Sequence, residues 1–409
     1  MGIKKLFTFL NNNDLYKSYP YLNDLINELG VDKKKMLVGV DGNLFCHKYT
    51  HSYDNMLIGF FNQVLKFLSN KIIPLYIFDG GTLSEKENTN MIRYHKKILC
   101  KHRLEQLEHI LENDKYAYDN ADLLLLKKKL EKNSFKVNNN ITIVLELFDL
   151  LNIPYIFSHG EGEYLAVLLN KYNIIDFFLT DDTDPIPAGI NRIIKFYNNN
   201  VFYIEVKYIL KKLDLTQEQF CDFCILLGSD YATFNHGLKP NEIYELISKY
   251  KNIENAYNEQ KLNCLNSESF EMIERLRNIY KYSDVLEKEM FINKNVDGWT
   301  NTNTNTNTNT NINPIVDLKN FSYYSNIMLE FWDEYIKLIS IEYSSDDEFV
   351  NIIKIQGDTF KLKICKFVSS SKFNIKNIIK FIKHNIPDIT ENEVSNMIMS
   401  FDFLNTFGI

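Results

Sequence analysis

Proline and glycine are scarce in this chain, with 8 and 15 residues among 409, so its composition excludes disorder for most of its length. Long apolar runs are also missing. No stretch approaches the roughly 20 residues of a membrane-spanning helix, and we identify no secretory signal. The six cysteines are scattered, and Cys221-x-x-Cys224 has no second Cys/His pair at zinc-binding spacing. These absences favour an intracellular protein in a reducing compartment, with no membrane partner.

The chain has enough apolar residues for a large globular core, with 45% hydrophobic residues, 29 Phe and 25 Tyr. Its length allows one large domain or two smaller ones. The net charge of −7 argues against a surface that binds polyanions everywhere, but acidic and basic residues are unevenly distributed. Their placement is therefore more informative than their total.

Acidic residues follow the ends of short apolar runs. The runs Met36–Val40, Ile73–Phe78, Ile153–Phe157 and Ile174–Thr180 have the length and composition of buried parallel strands, and a further element is Phe220–Gly228. Ligands bind outside the carboxyl ends of the strands in an open parallel sheet, so we expect these acids to meet at one edge. They are Asp41, Asp79, Glu161, Glu163, Asp182, Asp184 and Asp230.

Seven like charges at one edge require counter-charges. Mg²⁺ and Mn²⁺ prefer carboxylate and water oxygens, and two such ions about 4 Å apart promote in-line displacement at a phosphodiester. An alternative role for Asp184 is a helix N-cap, because Pro185 follows it. The acidic pattern therefore predicts a two-metal site for phosphodiester hydrolysis.

Composition divides the rest of the chain into segments. Residues 83–140 are charged, with Leu and Ile at helical spacings, and residues 216–250 also have a helical pattern. The Thr-Asn repeat within residues 300–313 cannot build a core, so we predict a disordered insertion there. Finer predictions are a helix at Asn55–Ser69, a hairpin of Ile193–Tyr197 and Val201–Glu205, and helices at Asn377–His384 and Glu391–Phe403.

Five short blocks occur in a characteristic order. They are Met1-Gly2-Ile3, Val38–Asp41, Tyr76–Gly80, the run Ile153–Gly189 with its Gly-Glu-Gly-Glu and Thr-Asp-Asp-Thr-Asp phrases, and Cys224–Tyr231. In order and spacing these blocks resemble the flap endonuclease / XPG-type family of structure-specific 5′ nucleases. We therefore expect a nuclease core at residues 1–250, followed by a helical C-terminal part at residues 251–409.

The resemblance implies an α/β, PIN-like fold with a twisted, mostly parallel central sheet flanked by helices. It adds a helical arch at residues 83–140 and a helix-two-turn-helix-like segment at residues 216–250. The implied activity is hydrolysis of phosphodiesters near single-strand/double-strand junctions of DNA, as a 5′ flap endonuclease or 5′ exonuclease in replication, repair or recombination. Two Mg²⁺ ions, for which Mn²⁺ can substitute, would be the cofactors.

The resemblance also implies roles for individual residues. Lys86 and Arg93 are seven residues apart, on one helix face, and match the basic pair that stabilises charge on the scissile phosphate. A solvated helix face is the alternative for this pair. Asp181 is a spare acid outside the ligand sets. One ion would be held or oriented by Asp41, Asp79, Glu161 and Glu163, and the other by Asp182, Asp184 and Asp230.

Nucleic-acid contacts are expected along the arch, where the stretch Arg93–Arg103 contains five Lys/Arg and no acid. The arch would admit a free 5′ strand; the alternative is a plain helical hairpin packed on the sheet. His47 could stack on a base, or it could be a core histidine. The expected contact residues are Gly2, His47, Lys96, Lys97, Lys101, Arg103, Lys127, Lys128 and Gly237.

The chain departs from the family pattern in the helix-two-turn-helix loop. Lys239 stands where the family has a second glycine, so we expect a strained turn, and Asn241 and Glu242 replace two basic residues. These changes predict a weak hold on duplex DNA and no strong potassium site. We also find no sliding-clamp peptide before Ile409.

The expected partner is DNA with a free 5′ single strand, bound by a monomer in the nucleus or in a viral replication compartment of the cytoplasm. Two alternatives stay open. RNA could be the substrate, as in the host-shutoff nucleases of some large DNA viruses. The chain could also be a non-catalytic member that only binds nucleic acid, although such proteins usually lose the acids and all seven are present here.

Overall fold

Seven strands form a mixed sheet at the centre of the protein. The computed structural model describes residues 2–29, 36–52, 55–70, 72–80, 99–109, 111, 121–134, 141–151, 153–158, 160–197, 200–281 and 375–400. The strands are β1 (Lys17–Tyr19), β2 (Met36–Asp41), β3 (Ile72–Phe78), β4 (Tyr155–Phe157), β5 (Phe177–Leu179), β6 (Arg192–Tyr197) and β7 (Asn200–Glu205). Their spatial order is β1-β7-β6-β5-β2-β3-β4.

The pairing is parallel from β6 through β5, β2 and β3 to β4, and antiparallel where β7 meets β6 and β1. All seven residues of β3 are buried, as expected for a strand with parallel neighbours and both faces covered. Asp41 is the last residue of β2 and lies opposite Ile77, so Asp79 follows at the same edge of the sheet. The predicted mostly parallel sheet is confirmed, with its acids at the carboxyl ends of the strands.

Helices cover both faces of this sheet. They are α1 (Leu6–Asn12), α2 (Leu22–Glu28), α3 (Gly42–Ser52), α4 (Met56–Ser69), α5 (Ala121–Ser134), α6 (Ile141–Leu150), α7 (Gly162–Lys171), α8 (Val206–Leu213), α9 (Gln217–Leu227), α10 (Pro240–Tyr250), α11 (Ile253–Asn258), α12 (Ser267–Tyr280), α13 (Ile375–Asn385) and α14 (Glu391–Ser400), and residues 99–109 are also helical. Within the described ranges, no helix has the length and apolarity to cross a membrane.

Two apolar cores follow from the alternation of side chains along the strands. In β3, Leu75 and Ile77 belong to the first core, whereas Tyr76 and Phe78 belong to the second. Helices α1, α7 and α9 to α12 contribute to the first core, and α2, α3, α4, α6, α13 and α14 contribute to the second. The late helices α13 and α14 therefore share a core with β2 and β3.

Several predicted elements differ from the structure at their ends. Strand β5 is shorter than the predicted run Ile174–Thr180, because the amide of Asn170 donates to the carbonyl of Ile175 (2.9 Å) and holds the chain in a turn before the strand begins. The predicted helix at Asn55–Ser69 is confirmed as α4, with the Asn55 side chain capping it through the Leu57 N–H (2.9 Å).

The hairpin is confirmed as β6 and β7, and the closing helices as α13 and α14. The Thr-Asn repeat lies outside the described residues. The three-residue strand β1 and helix α2 were not predicted, because a strand this short has no readable periodicity.

The described part of the predicted arch is a pair of helices with an apolar cluster of its own. Leu107 and Leu111 on one side pack with Leu130 of α5 on the other. The ammonium of Lys127 also lies 3.3 Å from the carboxylate of Glu108. This cluster is separate from both sheet cores, and the choice between an arch and a hairpin laid on the sheet stays a prediction.

Helices α9, α11 and α12 are joined by one arginine. Arg277 of α12 donates two hydrogen bonds of 2.8 Å to Asp222 of α9, and two more, of 2.6 and 3.0 Å, to Glu254 of α11. Asp222 has only 5% of its side chain exposed and also accepts from the Ile253 N–H at 3.2 Å. A buried carboxylate of this kind depends on its partners.

We predict that Arg277→Met lowers the free energy of unfolding by about 2–4 kcal/mol, because it leaves the buried Asp222 carboxylate without its cation. The measurement is equilibrium unfolding in urea. Arg275→Met, on the exposed face of the same helix, is the matched control and should change stability little. Equal stability of the two variants would show that the network does not join these helices.

Candidate metal centre

Three acidic side chains converge at the carboxyl edge of the sheet. Glu163 lies in the first turn of α7, and Asp182 and Asp184 lie in the loop after β5. One oxygen from each lies within 4.8 Å of the others. The group combines members of both predicted ligand sets, Glu163 from the first with Asp182 and Asp184 from the second. The alternative that Asp184 caps a helix is wrong, because residues 184–189 form turns.

Asp41 is connected to this group through a threonine. Its Oδ2 accepts from the Thr180 hydroxyl at 2.9 Å, and the same hydroxyl oxygen accepts from the Asp182 N–H at 3.0 Å. Its Oδ1 accepts from the Leu44 N–H (2.9 Å) at the start of α3. The pKa of Asp41 is raised to about 7, mainly by burial and also by the negative charges of Asp79 and Asp182. The hydrogen bonds from Leu44 and Thr180 lower this pKa but do not cancel the increase. The metal-free carboxyl is thus poised to lose a proton near neutral pH.

Asp79 contacts the start of another helix. Its Oδ1 accepts a hydrogen bond of 2.6 Å from the N–H of Gly162, which is the first residue of α7. Its Oδ2 accepts from the side-chain amide of Asn43. A Cβ at Gly162 would lie 3.2 Å from that Oδ1, so glycine permits the close approach. The amino ends of α3 and α7 therefore both meet acids of the site, where helix dipoles favour negative charge.

Glu161 is buried and held by tyrosines. Its Oε2 accepts from the Tyr231 hydroxyl at 2.8 Å, and that hydroxyl lies 2.9 Å from the hydroxyl of Tyr164. Tyr231 follows Asp230, so this bond connects the loop after α9 to the start of α7. Sequence reasoning missed four supporting residues: Asn43, Thr180, Tyr164 and Tyr231. Tyr164, Thr180 and Tyr231 lie within quoted blocks, the Ile153–Gly189 run and Cys224–Tyr231, whereas Asn43 lies outside them.

The first residues of the chain pack beneath the loop that carries Asp182. The Ile3 N–H donates to the Thr183 hydroxyl at 2.8 Å, and the Lys4 N–H donates to the Gly228 carbonyl at 2.8 Å. Gly2 has a φ of +83°, and a Cβ there would lie 2.0 Å from Oδ1 of Asp182. Gly2, predicted as a nucleic-acid contact, therefore lies against a candidate metal ligand.

The donor atoms of the cluster are all carboxylate oxygens, the ligands that hard divalent cations prefer. The residues present therefore fit a divalent metal ion. Glu163, Asp182 and Asp184 are near enough together to hold one ion, and the hydrogen-bonded Asp41, Asp79 and Glu161 surround them. Asp230 is half-buried in the loop that Tyr231 connects to the site.

The other predicted residues are distributed as follows. His47 is exposed on α3, so the core-histidine alternative is wrong. Lys101 and Arg103 are exposed on the helical residues 99–109, and Lys128 lies within α5 next to Lys127. Four predicted residues lie outside the described ranges: Lys86, Arg93, Lys96 and Lys97.

The loop before α10 corrects one expectation. Gly237 has a φ of +72°, but Lys239 has a φ of −83° and caps α10, so the expected strain at Lys239 is wrong. The Lys239 N–H donates a hydrogen bond of 2.6 Å to Oε2 of Glu242. The Glu242 carboxylate therefore caps the start of α10. His236 closes the loop, because its Nδ1 accepts from the Leu238 N–H at 3.0 Å and its Nε2 donates to the Leu226 carbonyl at 2.7 Å.

Two family models match this chain: the XPG N-terminal domain over residues 1–99 and the XPG I-region over residues 152–230. Flap endonuclease 1 of Enterocytozoon bieneusi is 29% identical over 207 residues, which cover 48% of this chain and 54% of that protein. A probable RAD2-like endonuclease, 369L, of Invertebrate iridescent virus 6 is 25% identical over 310 residues, covering 63% and 73%.

Among solved structures, the catalytic core of Rad2 in complex with DNA substrate has a TM-score of 0.51 at 16% identity, covering 98% of this chain and 100% of that one. This likeness identifies the fold as PIN-like. The two matched domains make residues 1–99 and 152–230 similar to the XPG-type flap endonuclease family. It spans about half the length of the first flap endonuclease relatives, at 54% and 52%.

We predict that Gly2→Ala weakens divalent-metal binding by about tenfold or more, because the new methyl group must displace Asp182 from its place in the cluster. The measurement is a Mn²⁺ titration followed by electron paramagnetic resonance. Gly160→Ala is the control, since a Cβ there would meet nothing within 4 Å. Equal Mn²⁺ affinity in the two variants would contradict the packing of Gly2 against the site.

We also predict that metal binding displaces a proton from Asp41. Metal ligation requires the charged carboxylate, so affinity should rise with pH up to the Asp41 pKa of about 7 and then level off. The folded pKa exceeds the unfolded value, so the metal-free protein should lose stability as pH rises through about 7. Calorimetric titration in buffers of different ionisation enthalpy measures the released proton.

In that titration, Asp41→Asn should abolish the proton release near pH 6. Release that is unchanged in this variant would assign the proton to another group.

Proposed function

We propose that the protein is a divalent-metal-dependent 5′ nuclease that hydrolyses phosphodiesters near single-strand/double-strand junctions of DNA. The observation that carries the proposal is the convergence of Glu163, Asp182 and Asp184 within 4.8 Å at the carboxyl edge of the sheet. Its relatives are named as flap endonucleases and a RAD2-like endonuclease. A role in replication, repair or recombination of DNA accords with those relatives.

The seven acids would hold and orient two Mg²⁺ ions, or Mn²⁺ ions in their place. When bound, such ions activate water at neutral pH and neutralise charge on the attacking and leaving oxygens. The chain's own groups keep the acids aligned. Thr180 and the Leu44 N–H orient Asp41, and the Gly162 N–H orients Asp79. Lys86 and Arg93 would reach the scissile phosphate and stabilise its developing charge.

The arch would hold the free 5′ strand. Lys101 and Arg103 are exposed there, Lys127 is partly exposed on α5, and Lys128 follows it in the sequence. Lys96 and Lys97 belong to the same basic stretch of sequence. His47 lies on α3 about 7.5 Å along the helix from Gly42, by the rise per residue, and Gly42 directly follows Asp41, so its exposed ring could stack on a base near the site.

Contact with duplex DNA would come from the loop before α10. A Cβ at Gly237 would meet nothing within 4 Å, so its backbone is open to an approaching phosphate. Asn241 and Glu242 are exposed without adding positive charge, which supports a weak hold on the duplex. That the loop has no strong potassium site stays a prediction. We propose a monomer that acts in the nucleus or in a viral replication compartment.

Neither alternative is favoured. The relatives are named as flap and RAD2-like endonucleases, and the Rad2 core of similar fold is described in complex with DNA substrate, which argues against RNA as the substrate. The complete set of acids argues against a non-catalytic member.

We predict that Asp184→Asn lowers hydrolysis of a 5′-labelled flap DNA in Mg²⁺ by about a hundredfold or more, because it removes one ligand charge at nearly constant volume. Asp214→Asn is the matched control, since Asp214 is exposed and Asn tolerates its φ of +52°. Nicked duplex, single-stranded DNA and RNA complete the substrate panel. Turnover of the Asp184 variant near that of the control, or a preference for RNA, would contradict the proposal.

A further inference from the structure

Asp181, the spare acid beside Asp182, is engaged by two lysines from different elements. The ammonium of Lys48, on α3, lies 3.2 Å from its Oδ2, and that of Lys195, on β6, lies 3.9 Å from its Oδ1. The side chains of Asp181, Lys48 and Lys195 are 27%, 35% and 21% exposed, so the cluster opens to solvent. It lies at the same sheet edge as the candidate metal centre, because Asp181 directly follows Thr180.

Aromatic rings support both lysines. The Lys48 ammonium lies 5.4 Å from the centroid of the Phe45 ring, and the Lys195 ammonium lies 5.0 Å from that of the Phe7 ring. Each ammonium group therefore has a favourable contact besides the one with Asp181. Two cations therefore share one acid, which leaves the cluster with a net positive charge beside an acidic site.

The arrangement has the shape of a phosphate site. One ammonium contacts each oxygen of the carboxylate, and a phosphodiester likewise presents two non-bridging oxygens that share one negative charge. Partly exposed lysine–carboxylate pairs are weak, so an incoming phosphate can displace the carboxylate at little cost.

We propose that Lys48 and Lys195 bind a phosphate of the substrate strand beside the metal centre, and that Asp181 is a built-in competitor that occupies this site in the free protein. The inference rests on the proposed function, since it takes a nucleic-acid strand at this edge for granted. Its consequence is that Asp181 weakens binding. If a nucleic-acid strand is held by Lys48 and Lys195 alone, the Asp181 carboxylate displaces it. Only a substrate that makes further contacts with the protein remains bound.

The test is the affinity for a 5′-flap DNA in Ca²⁺ at several salt concentrations. Asp181→Asn should bind roughly 3- to 10-fold more tightly than the wild type, with a log–log salt slope steeper by about 0.7 to 1.8, for one or two freed phosphate contacts. Glu28→Gln is the matched control. It makes the same charge change and releases Lys17 from a 2.6 Å ion pair elsewhere on the surface.

Two further variants locate the effect. Adding Lys48→Ala and Lys195→Ala to Asp181→Asn should remove the gain in affinity and in salt slope. The two lysine substitutions alone should weaken binding and flatten the slope, and this arm keeps the test decisive if the Asp181 variant does not fold. Any of three results would overturn the inference. The Asp181→Asn variant could bind DNA no more tightly than Glu28→Gln, its gain in affinity could persist without the lysines, or the lysine variants could bind DNA like the wild type.

Hydrolysis by the wild type separates this inference from the proposed function. If the wild type cleaves flap DNA in Mg²⁺ but the Asp181 variant behaves like the Glu28 control, only the competitor role is wrong. If the wild type neither binds nor cleaves any DNA in the panel, the proposed function itself is wrong.

Discussion

Mutual repulsion among carboxylates at one edge of a parallel sheet is the constraint on which the rest of this structure depends. The sheet places Asp41 and Asp79 on neighbouring strand ends, and the loop after β5 adds Asp182 and Asp184. Backbone N–H groups at the starts of α3 and α7 meet the first two acids directly. Hydroxyl groups do the same for Asp41 and Glu161. The raised pKa of Asp41 shows that these donors do not cancel the repulsion and burial, which leaves a role for divalent cations.

The surrounding parts hold this edge in shape. Residues at the start of the chain connect the Thr183 loop to the Gly228 loop through hydrogen bonds from Ile3 and Lys4. On the same face, Arg277 fixes α9, α11 and α12 to one another and thereby supports the loop that carries Asp230. The arch helices have a separate apolar cluster.

Much of this arrangement was predictable because strand-end acids in a parallel sheet must converge, whatever the loops do. The meeting of the acids that follow β2, β3 and β5 at one edge of the sheet follows from that rule. Other features depend on contacts between residues distant in sequence. Lys239 has a φ of −83° as the N-cap of α10, so the expected strain is absent, and the approach of Gly2 to Asp182 has no local signal. The lysines that pair with Asp181 lie on α3 and β6, and Lys48 is 133 residues from Asp181 in the sequence. No sequence motif therefore predicts these pairs.

The most direct measurement is anomalous diffraction from crystals of the protein soaked in Mn²⁺ at a concentration that supports flap cleavage. The account predicts a peak within bonding distance of Glu163, Asp182 and Asp184, with a second about 4 Å away toward the remaining acids. Asp181 should stay outside both coordination spheres, paired with its lysines. Mn²⁺ bound elsewhere, or an acidic edge that remains empty of metal while the protein still hydrolyses DNA, would contradict the account.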